Sequence, residues 1–305
     1  MKKSVRVWIY LLEIILAPVI ILCGFQIGNL FKGNDHINDA PTDNIFEYRK
    51  NLAYINDNFV DEVNNRIIVK TNRAIEDEKA LCVANGYAGL NVLQYENYQD
   101  ATEALNYYSS LSYVSYCERD FVVYCNDMVE NSVVINGNEM EHLSWGANLL
   151  GVPTYQKYIL SKYKSIKNVP EVYVAVLDTG IDTDNEFLSG RIAFDLGISY
   201  YDSTLYTNKK SNYKFEDGNS HGTHVSGTIV DLTQSNVKII PVKVLDDSGR
   251  GSNSNIISGM EYVLNLKKSG KNICAFNMSL GGYGNSKEEE RIIDSCYENN
   301  IMPVV

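Results

Sequence analysis

The 305-residue chain has the length of about two average domains. A hydrophobic fraction of 45% and a charged fraction of 21% exclude wholesale disorder. With 27 Lys and Arg against 38 Asp and Glu the net charge is −11, which excludes a general nucleic-acid binder, because polyphosphate recognition needs a cationic surface.

The chain opens Met-Lys-Lys-Ser-Val-Arg and then runs apolar from Trp8 to Phe31. That stretch is longer than the about 20 residues a membrane helix requires. Lys2, Lys3 and Arg6 before it hold the amino terminus in the cytoplasm and place the polypeptide beyond Phe31 outside. A cleaved signal peptide is the competing reading, but it needs a shorter apolar region ending in an A-x-A-like site, and none is found. Residues 1–31 therefore read as a signal anchor that contacts the membrane through residues 8–31. The expected location is single-pass, with the bulk of the chain extracytoplasmic, or else secreted. Export permits disulfides. The cysteines are Cys23, Cys82, Cys117, Cys125, Cys274 and Cys296; five lie outside the apolar stretch, with no C-x-x-C pair, so buried free thiols are expected.

Residues 32–60 are polar and read as a linker. A compact pattern occupies 61–128. Arg66–Lys70 and Leu90–Tyr95 are strand-like, Ile75–Val83 is helix-like with a stop at Asn85-Gly86, and Asp100 caps a second helix running to Tyr108. Ser112–Tyr116 and Phe121–Tyr124 then read as two short strands able to form a hairpin. This order predicts a small α+β sandwich, followed by a linker at 129–144.

From Trp145 the rhythm changes. Val172–Leu177, Val237–Leu245 and Ile273–Met278 are apolar runs of the kind buried on both faces of a parallel sheet. Ile256, Ile257, Met260, Val263 and Leu264 fall at helical spacing with Gly270 as a stop, and Ser286 with Glu289 forms a capping box for another helix. Ile301–Val305 begins a fourth strand. Residues 145–305 therefore predict an open parallel α/β sheet with its ligands at the carboxyl ends of the strands. Because the sequence stops where a buried strand has just begun, the sheet is expected to be incomplete and the chain a fragment.

Three segments carry chemistry. Asp178-Thr-Gly-Ile-Asp182 comes directly after a buried strand, His221-Gly-Thr-His224 opens a helix with small residues on its packing face, and Asn277-Met-Ser279-Leu280-Gly281-Gly282 ends a strand in side-chain-poor backbone. Together they resemble the subtilisin-like serine peptidases (subtilases, peptidase S8) over about residues 145–305. The resemblance implies that Asp178 orients His221, that His221 is the general base toward a serine, and that Asn219, Gly249, Gly251, Ser279, Leu280 and Gly281 bind the substrate. Glycine-rich extended rims let a peptide enter as an added strand. By the same resemblance residues 61–128 are a ferredoxin-like propeptide (inhibitor I9-like), an intramolecular inhibitor removed by self-cleavage somewhere between Tyr124 and Glu141.

The departures matter equally. No Gly-Thr-Ser-x-Ala-x-Pro segment is present, and no Ala-Ala-Gly-Asn segment for the oxyanion-hole Asn. The 305 residues thus hold two members of an Asp-His-Ser triad and are expected to be inactive as they stand. The expected function is a serine endopeptidase acting on peptides or proteins and made as an inhibited precursor. The alternative is an inactive, membrane-tethered peptide-binding pseudoprotease. Asp-Thr-Gly also occurs in aspartic peptidases, but those need two carboxylates sharing a proton and only one copy exists here. His221 and His224 have no Glu between them and no evident third ligand, which argues against zinc. Asp184 and Glu186 read as solvated turn carboxylates, so neither metal nor cofactor is expected.

Overall fold

The computed structural model describes residues 42–59, 61–71, 73, 75–126, 145–163, 165, 168–201 and 213–305. The membrane segment expected at 8–31 and the linker expected at 129–144 lie outside these residues. Among the described residues no helix is long and apolar enough to cross a membrane.

The first element occupies a stretch expected to be a linker. Thr42–Asn58 forms a 17-residue helix, α1. Its buried stripe is Ile45, Tyr48, Leu52 and Ile55, spaced at three and four residues as one helical face requires. The charged and amide residues between them make the segment look like a solvated linker in sequence.

Four antiparallel strands come next: β1 (Arg66–Lys70), β2 (Cys82–Tyr87), β3 (Leu90–Gln94) and, after helix α2 (Tyr98–Ser109), β4 (Tyr116–Arg119). Their order is β2-β3-β1-β4. The helix expected at Ile75–Val83 is not formed. Its last two residues, Cys82 and Val83, belong to β2, because Ala88 (φ +52°) and Gly89 (φ +76°) make a two-residue turn that pairs β2 with β3. Within the expected unit one helix, α2, therefore covers one face of the sheet, and the other face is covered by α1 from the preceding stretch, an order that is not the ferredoxin-like one expected. The cap of α2 is Asn97 rather than Asp100: the Asp100 backbone N–H donates to Asn97 Oδ1 at 3.0 Å. Ile67 and Val69 pack toward α2, while Ile68 points to the opposite face, the alternation a strand dictates.

Asp120 turns the chain away from this sheet, so the hairpin expected between the last two strands does not form. β5 (Val122–Cys125) instead lies between β9 (Arg250–Ser252) and β11 (Leu280–Gly282), antiparallel to both.

The remaining chain builds the α/β layer. After α3 (Trp145–Leu149) and α4 (Val152–Tyr163) come β6 (Val172–Asp178), β7 (Ile198–Ser199), β8 (Val237–Lys243), β10 (Ile273–Asn277) and β12 (Met302–Val304). They form one parallel sheet in the order β12-β10-β6-β8-β7. Helices α5 (His221–Leu232), α6 (Asn253–Lys268) and α7 (Lys287–Glu298) complete it. Val174, Val176, Ile239 and Val230 fill one side of the sheet; Ala175, Leu177, Ile240 and Val242 meet Ile256, Ile257 and Met260 of α6 on the other. Parallel pairing buries both faces, which is why these strands read as unbroken apolar runs.

Two carboxylates, Glu118 of β4 and Asp120 of the turn after it, sit at helix N-termini, where unpaired backbone N–H groups and the helix dipole favour negative charge. The Ser254 backbone N–H donates to Asp120 Oδ1 at 3.0 Å and its hydroxyl to Asp120 Oδ2 at 2.6 Å. Ser286, the N-cap of α7, donates its hydroxyl to Glu118.

Candidate active site

β6 lies at the centre of the parallel sheet, and its last residue, Asp178, emerges fully buried at the carboxyl edge. The turn after it is tight. Gly180 has φ +114°, and a Cβ there would lie 2.4 Å from Phe215 O, so only glycine fits. The Thr179 backbone N–H donates to Asp178 Oδ1 at 2.7 Å.

The first turn of α5 closes on this turn. A Cβ on Gly222 would sit 2.3 Å from Gly180 O and 3.1 Å from the Asp178 Cβ. The missing side chain lets the helix approach until Gly222 N–H donates to Thr179 Oγ1 at 2.9 Å. His221 is then delivered to Asp178, with Nδ1 at 2.8 Å from Oδ1 and 2.9 Å from Oδ2. Both side chains are shielded, at 5% and 0% exposed. The hydrogen bond that His221 donates to Asp178 raises its pKa above the ordinary imidazole value, although burial acts in the opposite direction. Such a pair holds Nδ1 protonated and leaves the other ring nitrogen free to accept a proton.

A group that sequence reasoning missed locks this geometry. Asp217, buried ahead of α5, accepts from the hydroxyls of Thr179 (2.8 Å) and Thr223 (2.5 Å). It also accepts from the backbone N–H groups of Asn219, Ser220 and Thr223. Burial alone would raise its pKa, but the hydrogen bonds from Thr223, Thr179 and Ser220 outweigh that and hold it below the usual carboxylate value. An Asp three residues ahead of the serine that precedes the helix is the available signal, read as an Asx turn. Lys243, fully buried at the end of β8, is a second unrecognised member: it donates to Thr179 O and pairs with Asp247 at 2.7 Å.

The two rims expected to bind a peptide hold one. Val123 pairs with Gly251 on one side and Gly282 on the other, and Tyr124 pairs with Arg250 and Gly281. Cys125 opposes Leu280 and donates its N–H to Gly249 O at 2.8 Å; the Asn126 N–H donates to Ser279 O at 3.0 Å. The Val123 side chain is buried between glycines, since Cβ atoms on Gly251 and Gly282 would fall 3.3 and 3.2 Å from its methyl groups. Tyr124 is half exposed. The strand ends beside the imidazole, where the Asn126 backbone adds to the upward shift of the His221 pKa.

Of the expected peptide-binding residues, Gly249, Gly251, Ser279, Leu280 and Gly281 therefore touch this strand. Asn219 lies next to Gly249 on the same rim, its Nδ2 donating to Asp247 O at 3.1 Å. His224 is exposed on α5. Among the described residues no three His, Cys, Asp or Glu side chains are grouped to hold a metal ion, and Cys82, Cys117, Cys125, Cys274 and Cys296 form no disulfide.

Residues 170–303 match the model of the subtilase family, peptidase S8. The subtilisin-like serine protease AsES of Sarocladium strictum is 41% identical over 135 residues, 43% of this chain and 31% of that protein. Subtilisin-like protease 7 of Arthroderma otae is 35% identical over 185 residues, 59% of this chain and 40% of the relative. Among solved structures, fervidolysin from Fervidobacterium pennivorans, a keratinolytic enzyme related to subtilisin, aligns with a TM-score of 0.47 and 17% identity, over 78% of this chain and 39% of that one. The chain thus spans well under half the length of these relatives.

Proposed function

Given that the chain carries a peptidase S8 (subtilase) domain over residues 170–303, we propose that it is the precursor portion of a serine endopeptidase whose first substrate is its own β5 strand. The observation that carries this reading is the seat of that strand. An extended segment enters between β9 and β11, hydrogen-bonds to both rims, and ends with Asn126 at the Asp178–His221 pair.

In this mechanism Asp178 fixes the imidazole with Nδ1 protonated and stabilises the cation that forms. His221 accepts the hydroxyl proton of a serine nucleophile as that serine attacks the carbonyl carbon of Asn126. It then returns the proton to the amine of residue 127, and water releases the acyl group, leaving a carboxylate on Asn126. The rims align the strand, so that orientation is provided before any bond changes. Neither the nucleophile nor the oxyanion-hole Asn is recognisable among the 305 residues, so both are assigned to polypeptide outside them. Residues 61–126 act as the intramolecular inhibitor, and residues 8–31 are assigned the export and anchoring role that their apolar run supports.

The test is a longer gene product that includes the nucleophile. It should label with a fluorophosphonate and yield a fragment ending at Asn126; His221→Ala should abolish both. Labelling with an end at another residue would retain the peptidase and reject the cleavage register. Absence of labelling in a folded protein would instead favour the peptide-binding pseudoprotease.

A further inference from the structure

A cavity of about 590 Å³ lies in the N-terminal unit, between the chain that links β1 to β2 and helix α2. Its walls come from residues 73–113, so neither the cleft nor the α/β layer lines it. The volume is that of a site for a small organic molecule.

The back of the cavity is fixed. Tyr95 and Tyr108 are buried, and their hydroxyls donate to Asp77 Oδ2 at 2.7 and 3.1 Å. Asp77 Oδ1 accepts from the Lys79 backbone N–H at 2.9 Å. Each phenol has thereby committed its polar atom to Asp77, and the aromatic ring remains to line the cavity. Burial, with Asp77 adding to it, pushes both phenols above their ordinary range, so they stay neutral. The loop is pinned to β2 as well, where the Ile75 backbone exchanges two hydrogen bonds of 2.9 Å with the Asn85 amide.

The front is open. Tyr107 stands edge-on to Tyr108, with ring centres 5.2 Å apart, and is 59% exposed. Tyr113 is partly exposed, and the Arg73 guanidinium lies over its ring, 4.1 Å from the centre. One wall thus already receives an organic cation, supplied by the chain itself.

Charge narrows the choice of ligand. Glu76, Glu78, Asp100 and Glu103 line the cavity together with Asp77, against only two cations, Arg73 and Lys79. Lys79 is held loosely, 3.6 Å from Glu103 with both side chains more than half exposed. This surplus repels an anion, and an uncharged apolar ligand would strip water from carboxylates with nothing in exchange. A small hard metal ion needs several oxygens at once, and no three metal-ligating side chains are grouped among the described residues. Aromatic faces beside carboxylates match a large, weakly hydrated cation instead.

We propose that this cavity is a binding site for an organic cation, a guanidinium or alkylammonium group on a short aliphatic stem. The head meets the surplus carboxylates, the stem lies along Tyr107 and Tyr108, and Arg73 leaves the Tyr113 ring to the ligand. The bound cation bridges the β1–β2 loop and α2, and so stabilises the N-terminal unit. The site is separate from the Asp178–His221 pair and does not rest on the peptidase reading.

The test is isothermal titration calorimetry of the full 305-residue chain with two probes: acetyl-arginine amide, a peptide-borne cation, and spermidine, a free one. Saturable binding at one site per chain is expected. Binding of the arginine probe alone assigns the cation to a protein side chain, and binding of spermidine alone to a free polyamine. Acetyl-citrulline amide, of the same shape but uncharged, should bind at least about 10-fold more weakly than the arginine probe. Tyr107→Leu and Glu103→Gln, at exposed positions that the fold does not need, should each weaken binding about 2- to 5-fold. Arg73→Gln should tighten it about 3-fold by vacating the Tyr113 ring, and the gain should vanish in a Tyr113→Leu background. A gain that persists without the ring means diffuse charge attraction and overturns the site. Equal binding of the citrulline probe, or no saturable binding of either cation up to about 10 mM, overturns it too.

Discussion

Gly222→Ala tests the central geometric claim, that a missing side chain brings His221 to Asp178. The new Cβ would stand 2.3 Å from Gly180 O, and the carbonyl cannot retreat easily, because Gly180 itself packs on the Phe215 and Glu216 backbone. Restoring ordinary contact requires the start of α5 to withdraw by about 1 Å, since side-chain overpacking is relieved by backbone shifts. That movement stretches both the Gly222–Thr179 hydrogen bond, now 2.9 Å, and the His221–Asp178 hydrogen bond, now 2.8 Å, past useful length. Overpacking costs ~1–3 kcal/mol and each lost hydrogen bond ~0.5–1.5, against at most ~1 kcal/mol gained from replacing a helical glycine. The expected net loss is about 2–3 kcal/mol of unfolding free energy, measured by urea denaturation of the 305-residue chain. In the same protein, NMR titration should find the His221 pKa shifted down toward the ordinary imidazole value. Wild-type stability together with an undiminished His221 pKa would refute the argument.

Other outcomes rest on the same geometry. His221 has a raised pKa when folded, so its pairing contributes stability that is full below about pH 6.5, the unfolded imidazole value, and is lost as pH rises through the folded value. Asp178→Asn should flatten that dependence in denaturation curves taken between pH 5 and pH 9. Asp217→Ala should cost about 2–4 kcal/mol, read by urea denaturation, because several buried donors lose a charged acceptor at once. Val123→Asp places a carboxylate between Gly251 and Gly282, and should leave the strand free of the cleft, read as faster amide exchange at Cys125 and Asn126. Burial pushes the thiols of Cys117 and Cys296 up to about 12, so at pH 8 iodoacetamide should modify both at least ~10³-fold more slowly than a free thiol in peptide mapping.

The α/β layer was legible because its strands are buried on both faces and its turns carry obligatory residues. Val172–Leu177 announced β6, and Asp178-Thr-Gly and His221-Gly-Thr-His marked two segments that the topology then brings within hydrogen-bond distance. The N-terminal half was less legible, for two physical reasons. Ile75–Val83 has apolar residues at helical spacing, yet the positive φ angles at Ala88 and Gly89 commit the chain to a hairpin, and pairing overrides local preference. The stripe of α1 was hidden among polar residues because part of the surface that buries it lies about 150–210 residues away in sequence, as in the Tyr48–Ser258 and Arg49–Ser199 contacts. Asp217 and Lys243 went unrecognised for a related reason: each acts on the backbone or hydroxyl of Thr179, and only the folded arrangement reveals it.

The placement of β5 ties these halves together. Asp120 is anchored at the start of α6 by Ser254, and Asn253 N–H donates to Phe121 O at 2.8 Å, so the strand enters the cleft from a fixed point. From there the period of two decides every side chain: Val123 turns into the gap between two glycines and Tyr124 turns out to solvent. A strand with one buried side chain cannot slip by one residue without exchanging Val123 for Tyr124 in that gap, and Gly251 and Gly282 leave room for the valine methyl groups alone. The register of β5 between β9 and β11 is therefore set upstream, at Asp120, by a carboxylate capping a helix.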